Sequence, residues 1–212
     1  VVVTNGMMIP NYSQSKDYNK FNALGITQYG QMTAGSFMYI GPQGIVHGTT
    51  ITILNAARKI DPKAKDLNGK IFITSGLGGM SGAQAKAAVI AKGVCIVAEI
   101  NSSALNKRYN QGWVDEIFTN TDALLERAIL ARENKEAVSL AYNGNIVDLL
   151  ERVVELNINI EIGSDQTSLH NPWAGGYYPV GISFEDANKM ISNDPDNFKQ
   201  EVSKTLIRHT NA

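Results

Sequence analysis

The sequence contains a single cysteine, no long apolar run and almost no net charge. Cys95 alone cannot form an internal disulfide or a metal site built on paired cysteines, and it fits a reducing compartment. No apolar run approaches the roughly 20 residues of a membrane-spanning helix, and the start lacks a signal-peptide pattern. A formal net charge of −1 gives no basis for attraction to nucleic acid or to a membrane. We therefore expect a cytoplasmic protein without nucleic-acid or membrane partners.

Histidine is also scarce, with three residues, and no cluster of His, Cys, Asp and Glu has metal-ligand spacing, so we expect no metal. What the chain has is size. Its 212 residues, 43% hydrophobic and 18% charged, are ample for a sizeable core. It opens on Val1 without an initiator Met, which suggests a segment of a longer protein.

The most informative stretch is a glycine-rich turn between a strand and a helix. A β-branched and aromatic run, 71–75, leads into the glycines of 76–82, and an alanine-rich helical run, 83–92, follows. A second apolar strand, 94–98, then ends on Glu99. This order of elements predicts a dinucleotide-binding βαβ unit. In such a unit the helix N-terminus faces a pyrophosphate, and the acid accepts hydrogen bonds from ribose hydroxyls.

The alternation of strands and helices continues along the chain. Short apolar runs at 116–119, 137–141 and 158–162 predict strands, and helical periodicity appears at 122–133 and again after Asn145. The fold expected is α/β, a Rossmann-like mostly parallel sheet with helices on both faces. Ligands of such sheets bind at the carboxyl ends of the strands, which directs attention to the loops at 76–82, 143–145 and 163–179.

Two further segments stand out. Residues 29–47 mix glycine and small polar residues with aromatics, without a helix or strand period. At the other end, helices are predicted over 183–191 and from Asp194 onward. The second carries Phe198, Val202 and Ile207 on one face, which we expect to pack against a part of the protein outside this chain.

Three motifs together resemble the urocanase (urocanate hydratase) family. They are Gly-Gln-Met-Thr-Ala-Gly-Ser at 30–36, Gly-Leu-Gly-Gly-Met-Ser-Gly-Ala-Gln at 76–84, and Asp-Gln-Thr-Ser-Leu-His-Asn-Pro at 165–172. They occur in the family's order and near its spacing, and the resemblance covers essentially the whole chain. The Gly-Gly-Tyr-Tyr-Pro segment at 175–179 is most similar to the animal-type branch.

The resemblance implies an activity and an architecture. Urocanases add water to urocanate in histidine degradation, giving imidazolone propionate, and use tightly held NAD⁺ as an electrophile rather than as a hydride carrier. The implied protein is a homodimer whose Rossmann-like domain is inserted in a core domain that lies largely outside this chain. Residues 1–182 would form the NAD-binding domain, with 1–30 connecting to the core. Residues 183–212 would form a helical segment leading back to the core.

The family's catalytic cysteine motif has no counterpart here, so no catalytic residue is assigned. Carried over by position, the NAD contacts fall on Gln31, Gly79, Met80, Ser81, Glu99, Asn145, Ile146, Gln166, Thr167, Ser168, Leu169, His170, Tyr177 and Tyr178. The sequence departs from many bacterial members at Ala104, where they have arginine. Whether Arg108 takes over that role is left open by the sequence.

Two other functions fit the βαβ unit. One is the cofactor domain of an NAD-dependent dehydrogenase, and the other is a non-catalytic NAD-sensing module.

The roles of three individual residues are also considered. Cys95 is expected to be a small buried hydrophobe rather than a nucleophile. His47 is expected to make either a structural hydrogen bond or a contact in the site. His209 is expected on the surface.

Overall fold

The computed structural model describes residues 15–25, 42–164 and 172–212. Gln31 and the 166–170 segment lie outside these ranges. The described elements, in chain order, are α1 (Ser15–Ala23), α2 (Pro42–Ile60), β1 (Ile71–Ser75), α3 (Ala83–Ile90), β2 (Val94–Glu99), α4 (Ser102–Asn110), β3 (Glu116–Phe118), α5 (Thr121–Glu133), β4 (Val138–Asn143), α6 (Ile146–Glu155), β5 (Ile162–Gly163), a short 3₁₀ helix (Pro172–Ala174), α7 (Phe184–Asn193) and α8 (Pro195–Asn211).

The five strands form one sheet in the order β3-β4-β2-β1-β5, and every neighbouring pair is parallel. Ser75 pairs with Ala98, and Glu99 pairs with Asn143. The carboxyl ends of β1, β2 and β4 therefore finish side by side at one edge of the sheet. Strand β1 lies between β2, the next strand in the chain, and β5, the last described strand, so the turn after β1 lies inside the carboxyl edge of the sheet.

Helices cover both faces of the sheet, which explains why β1 and β2 are buried at nearly every position. On one face, Phe72, Cys95 and Val97 pack with residues of α2, α3 and α4. On the other face, Ile71 and Ile96 pack with residues of α5 and α6. The Rossmann-like α/β fold expected from the sequence is confirmed.

Cys95 is fully buried in the first of these cores. Burial, with a smaller contribution from the negative charge of Asp115, raises the pKa of its thiol well above the ordinary range. A thiol held protonated in an apolar core is a poor nucleophile, so the expectation of a buried hydrophobe is confirmed.

Three elements differ from the sequence-based expectation. Helix α4 was not expected, although Asn101 caps it by accepting hydrogen bonds from the N–H groups of Ser103 and Ala104. Helix α2 begins at Pro42, inside the 29–47 segment that shows no helix or strand period; proline suits a first helical position because it needs no hydrogen-bond acceptor there. Strand β5 is shorter than the predicted 158–162, because the apolar side chains before it pack against the α5 and α6 face without pairing.

Two of the three apolar residues predicted on one face of α8 pack within this chain, contrary to the expectation, whereas the third, Ile207, is 64% exposed and its expected partner stays a prediction. Phe198 and Val202 of α8 are fully buried together with Tyr177 and with Ala187 of α7. His209, expected on the surface, is half-buried, and its Nδ1 lies 2.9 Å from the hydroxyl of Tyr177. The apolar face of α8 therefore packs against Tyr177, which is close in space but distant in sequence. Helical periodicity alone could not identify this partner.

Candidate functional site

A cleft opens at the carboxyl edge of the sheet, where β1, β2 and β4 end. The tyrosines before α7 close one side of this cleft. Its lining residues are Ser75, Gly76, Ala98, Glu99, Ile100, Gly144, Asn145, Ile146, Gly176, Tyr177 and Tyr178. Since ligands of open parallel sheets bind at this edge, the cleft is the candidate site.

The glycine-rich turn begins beside the cleft with a residue that must be glycine. Gly76 has φ +89°, a conformation that other residues rarely adopt. A Cβ placed there would lie 2.7 Å from the Ser81 hydroxyl oxygen. That hydroxyl accepts a hydrogen bond from the N–H of Gly78 at 3.1 Å. Ser81 thus closes the turn across its own loop.

The turn presents free backbone donors at the start of α3. Gly82 caps this helix without a side-chain bond. Within the described ranges, the N–H groups of Gly79, Met80 and Ser81 donate to no protein acceptor, and Gly79 and Met80 are exposed. Unpaired donors and the positive end of a helix dipole together favour an anion at this place.

Glu99, at the end of β2, is half-buried and held from two sides. One carboxylate oxygen accepts from the N–H of Leu77 at 2.6 Å, and the other accepts from the N–H of Asn101 at 2.8 Å. A carboxylate offers about four acceptor positions, so these bonds orient the group and leave capacity for hydroxyl donors. Glu99 therefore joins the glycine-rich turn to the cleft.

Asn145 connects the β4 end to the tyrosines. Its Oδ1 caps α6 by accepting from the N–H of Val147 at 3.0 Å, and its Nδ2 donates to the carbonyl of Tyr178 at 2.9 Å. The side chain of Asn145 is therefore engaged in shaping the cleft. Ile146, the next residue, is half-buried at the cleft wall.

The two tyrosines occupy different environments. Tyr177 is buried, and its hydroxyl contacts His209. Tyr178 is half-buried, donates its hydroxyl to Asn188 at 3.1 Å and packs on the ring of Phe184. Burial raises the pKa of Tyr178, and the negative charge of Glu99 raises it further. Tyr178 therefore presents a neutral phenol near the Glu99 carboxylate.

One residue that bears on the site was not assigned from the sequence. Arg108, on the unexpected helix α4, reaches back to the glycine-rich turn and donates to the carbonyls of Leu77 and Gly78. Its position against the turn could be recognised only after helix α4 was known. The Asn-Ser-Ser start of that helix, a helix-capping signal, could have indicated it.

The structure thus brings together Glu99, Asn145, Ile146, Tyr177 and Tyr178 around one cleft. Gly79, Met80 and Ser81 lie on the adjoining turn, which Glu99 touches through Leu77. The remaining predicted contacts, Gln31 and 166–170, fall outside the described ranges. Among the described residues, no group of three His, Cys, Asp or Glu side chains could hold a metal ion, and no helix is long and apolar enough to cross a membrane.

Comparison with known proteins gives a consistent result. A family model described as the urocanase Rossmann-like domain matches residues 41–212, and one described as the urocanase N-terminal domain matches residues 1–38. Across its full length the chain is 56% identical to a probable urocanate hydratase of Dictyostelium discoideum and 54% identical to the urocanate hydratase of Homo sapiens. It is 37% identical to a probable urocanate hydratase of Halobacterium salinarum. The chain covers 31%, 32% and 36% of these relatives, respectively, or about a third of their length.

Proposed function

Because this chain belongs to the urocanase family, we propose that it is the NAD-binding domain of a urocanate hydratase, which adds water to urocanate to give imidazolone propionate in histidine degradation. The observation that carries the proposal is the carboxyl-edge cleft, where a glycine-rich turn with free N–H donors meets the carboxylate of Glu99. The proposal extends to a homodimer in the cytoplasm, with the active site completed by parts of the protein beyond these residues.

The described residues fit a dinucleotide at three points. Glycine at positions 76 and 82 allows the compact turn, because a Cβ there would collide with Ser81 and Arg108, respectively. Gly79, Met80 and Ser81 offer N–H groups to a diphosphate. Glu99 offers acceptor capacity to ribose hydroxyls, and its negative charge disfavours a 2′-phosphate, which favours NAD over NADP.

The cleft residues have corresponding roles. Tyr178 and Ile146 supply aromatic and apolar surface beside Glu99, where the adenosine half would lie. Asn145 holds Tyr178 in place through its carbonyl. The chemistry that bound NAD⁺ supplies is an electron-poor nicotinamide ring, which serves as an electrophile toward the imidazole of urocanate.

The experiment uses the full-length protein. Urocanate absorbs in the near ultraviolet through its conjugated side chain, and addition of water removes that absorbance. We expect its loss without growth of the absorbance of reduced nicotinamide. Turnover of a hydroxy acid with growth of that absorbance would instead support a dehydrogenase. Binding of NAD by a full-length protein that leaves urocanate untouched would support a non-catalytic sensing module.

A further inference from the structure

We infer that Arg108 is a positioning residue for the diphosphate of the dinucleotide. Its guanidinium fixes the backbone of the glycine-rich turn and places a positive charge directly beneath it. The inference rests on the proposed function, because it takes this turn as the diphosphate site. Arg108 lies in the last turn of α4, the helix that follows Glu99 and β2.

The guanidinium is held by contacts on every side. Nε donates to the carbonyl of Leu77 at 3.1 Å, and Nη2 donates to the carbonyl of Gly78 at 2.7 Å. Nη1 donates to the side chain of Gln111 at 2.7 Å, and Cζ lies 5.3 Å from the centre of the Trp113 ring. With 8% of its surface exposed, Arg108 has a fixed position rather than that of a mobile surface cation.

The bond to Gly78 sets the direction of a donor on the opposite side. In a trans peptide, the C=O of one residue and the N–H of the next point in opposite directions. Because the carbonyl of Gly78 points toward Arg108, the N–H of Gly79 points away from it. Gly79 is exposed, so Arg108 orients one of the donors offered to a diphosphate.

The start of α3 is shaped around this side chain. A Cβ on Gly82 would collide with Nε of Arg108 and would lie 2.8 Å from the carbonyl oxygen of Gly78. Glycine at position 82 is therefore what allows the guanidinium to lie against the first turn of α3. The family motif that ends in Gly82-Ala-Gln thus has a physical reason for its last glycine.

No described residue balances the charge of Arg108. Its three hydrogen-bond acceptors are neutral, and among the described residues no carboxylate forms an ion pair with it. A buried cation without a counter-charge is costly, and a cation at a helix N-terminus is unfavourable. A diphosphate on the outer side of the turn would supply the missing negative charge at short range.

The test compares two ligands on the full-length protein freed of bound nucleotide. ADP-ribose carries the diphosphate, whereas adenosine carries neither phosphate nor the second ribose. Arg108→Gln should weaken ADP-ribose binding about tenfold or more, the scale of a lost charge-assisted interaction, and should change adenosine binding less than about twofold. Arg108→Lys, which keeps the charge but not the two-carbonyl geometry, should fall between the wild type and Arg108→Gln. The salt dependence of ADP-ribose binding should be shallower in Arg108→Gln.

Arg132→Gln is the matched control. Arg132 also donates to a backbone carbonyl, that of Asn159, but at the opposite edge of the sheet, so both ligands should bind as in the wild type. Equal losses for adenosine and ADP-ribose in Arg108→Gln would show a merely structural role and overturn the inference, as would unchanged binding of both. If Arg108→Gln does not fold, the same comparison is decided on Arg108→Lys. Failure of the wild type to bind either NAD or ADP-ribose would instead overturn the proposed function.

Discussion

At the scale of single residues, Glu99 offers the most direct test of the proposed NAD binding. The N–H groups of Leu77 and Asn101 hold its carboxylate at the tip of β2. Glu99→Ala in the full-length protein should weaken NAD binding by about 1.5–3 kcal/mol, the scale for a hydrogen bond to a charged group. Isothermal calorimetry measures this directly. Unchanged affinity, or a wild-type preference for NADP, would contradict the assignment of Glu99 to the ribose.

A second residue-scale prediction concerns bulk on the outer side of the turn. Gly79 is exposed, so Gly79→Val should leave the fold intact while its branched side chain obstructs the diphosphate. The purified variant should retain its thermal unfolding temperature and lack bound NAD. Gly48→Ala is the control, because a Cβ there meets no described atom within 4 Å. A Gly79→Val protein that is folded, retains NAD and is fully active would show that the turn is only structural.

The scale of elements shows what the sequence could and could not predict. The βαβ unit around 71–99 was predictable because several signals agree there: two apolar strands, a helical run between them, a cluster of glycines at the turn and an acid after the second strand. Helix α4 was missed because its apolar content is low and its cap residues look like a loop. The contact of Arg108 with the glycine-rich turn was missed for the same reason. A buried arginine on a polar helix can be recognised only when the structure shows which backbone carbonyls it binds.

The C-terminal helices show a second limit. Periodicity identified the apolar face of α8 but not what it packs against, because Tyr177 lies in an irregular loop. The candidate site was likewise predictable only in part. Strand order predicted the edge of the sheet and Glu99, whereas the bonds of Asn145 and Tyr178 depend on loop geometry that no period encodes.

Helix α8 leads to the third prediction, because it supports the tyrosine segment. Phe198 is fully buried against Tyr177, and Thr205 accepts a hydrogen bond from the N–H of Val180. Phe198→Ala should lower the free energy of unfolding of this chain by about 3–5 kcal/mol, as for other buried aromatic truncations. Ile207→Ala, on the same helix but 64% exposed, should change it by less than about 0.5 kcal/mol. Denaturant unfolding compares the two, and equal effects would contradict the docking of α8 on this segment.

At the scale of the whole molecule, the described cleft forms only part of the proposed active site. It spans about a third of the length of the relatives it matches. The described cleft provides groups suited to a nucleotide, and its described lining residues include no cysteine and no histidine. We therefore expect the proposed binding of a dinucleotide and the proposed addition of water to urocanate to be separable, the second needing residues from elsewhere in the protein.

This separation gives the last prediction. The purified 212-residue chain, with NAD added, should leave the near-ultraviolet absorbance of urocanate constant, while the full-length protein should remove it. The control is binding of NAD or ADP-ribose to the chain, measured on the same preparation, since a misfolded chain would also be inactive. A chain that binds ADP-ribose but leaves urocanate intact would place the substrate groups outside Val1–Ala212. Loss of urocanate at a rate near that of the full-length protein would contradict this, because it would place the whole active site within these residues.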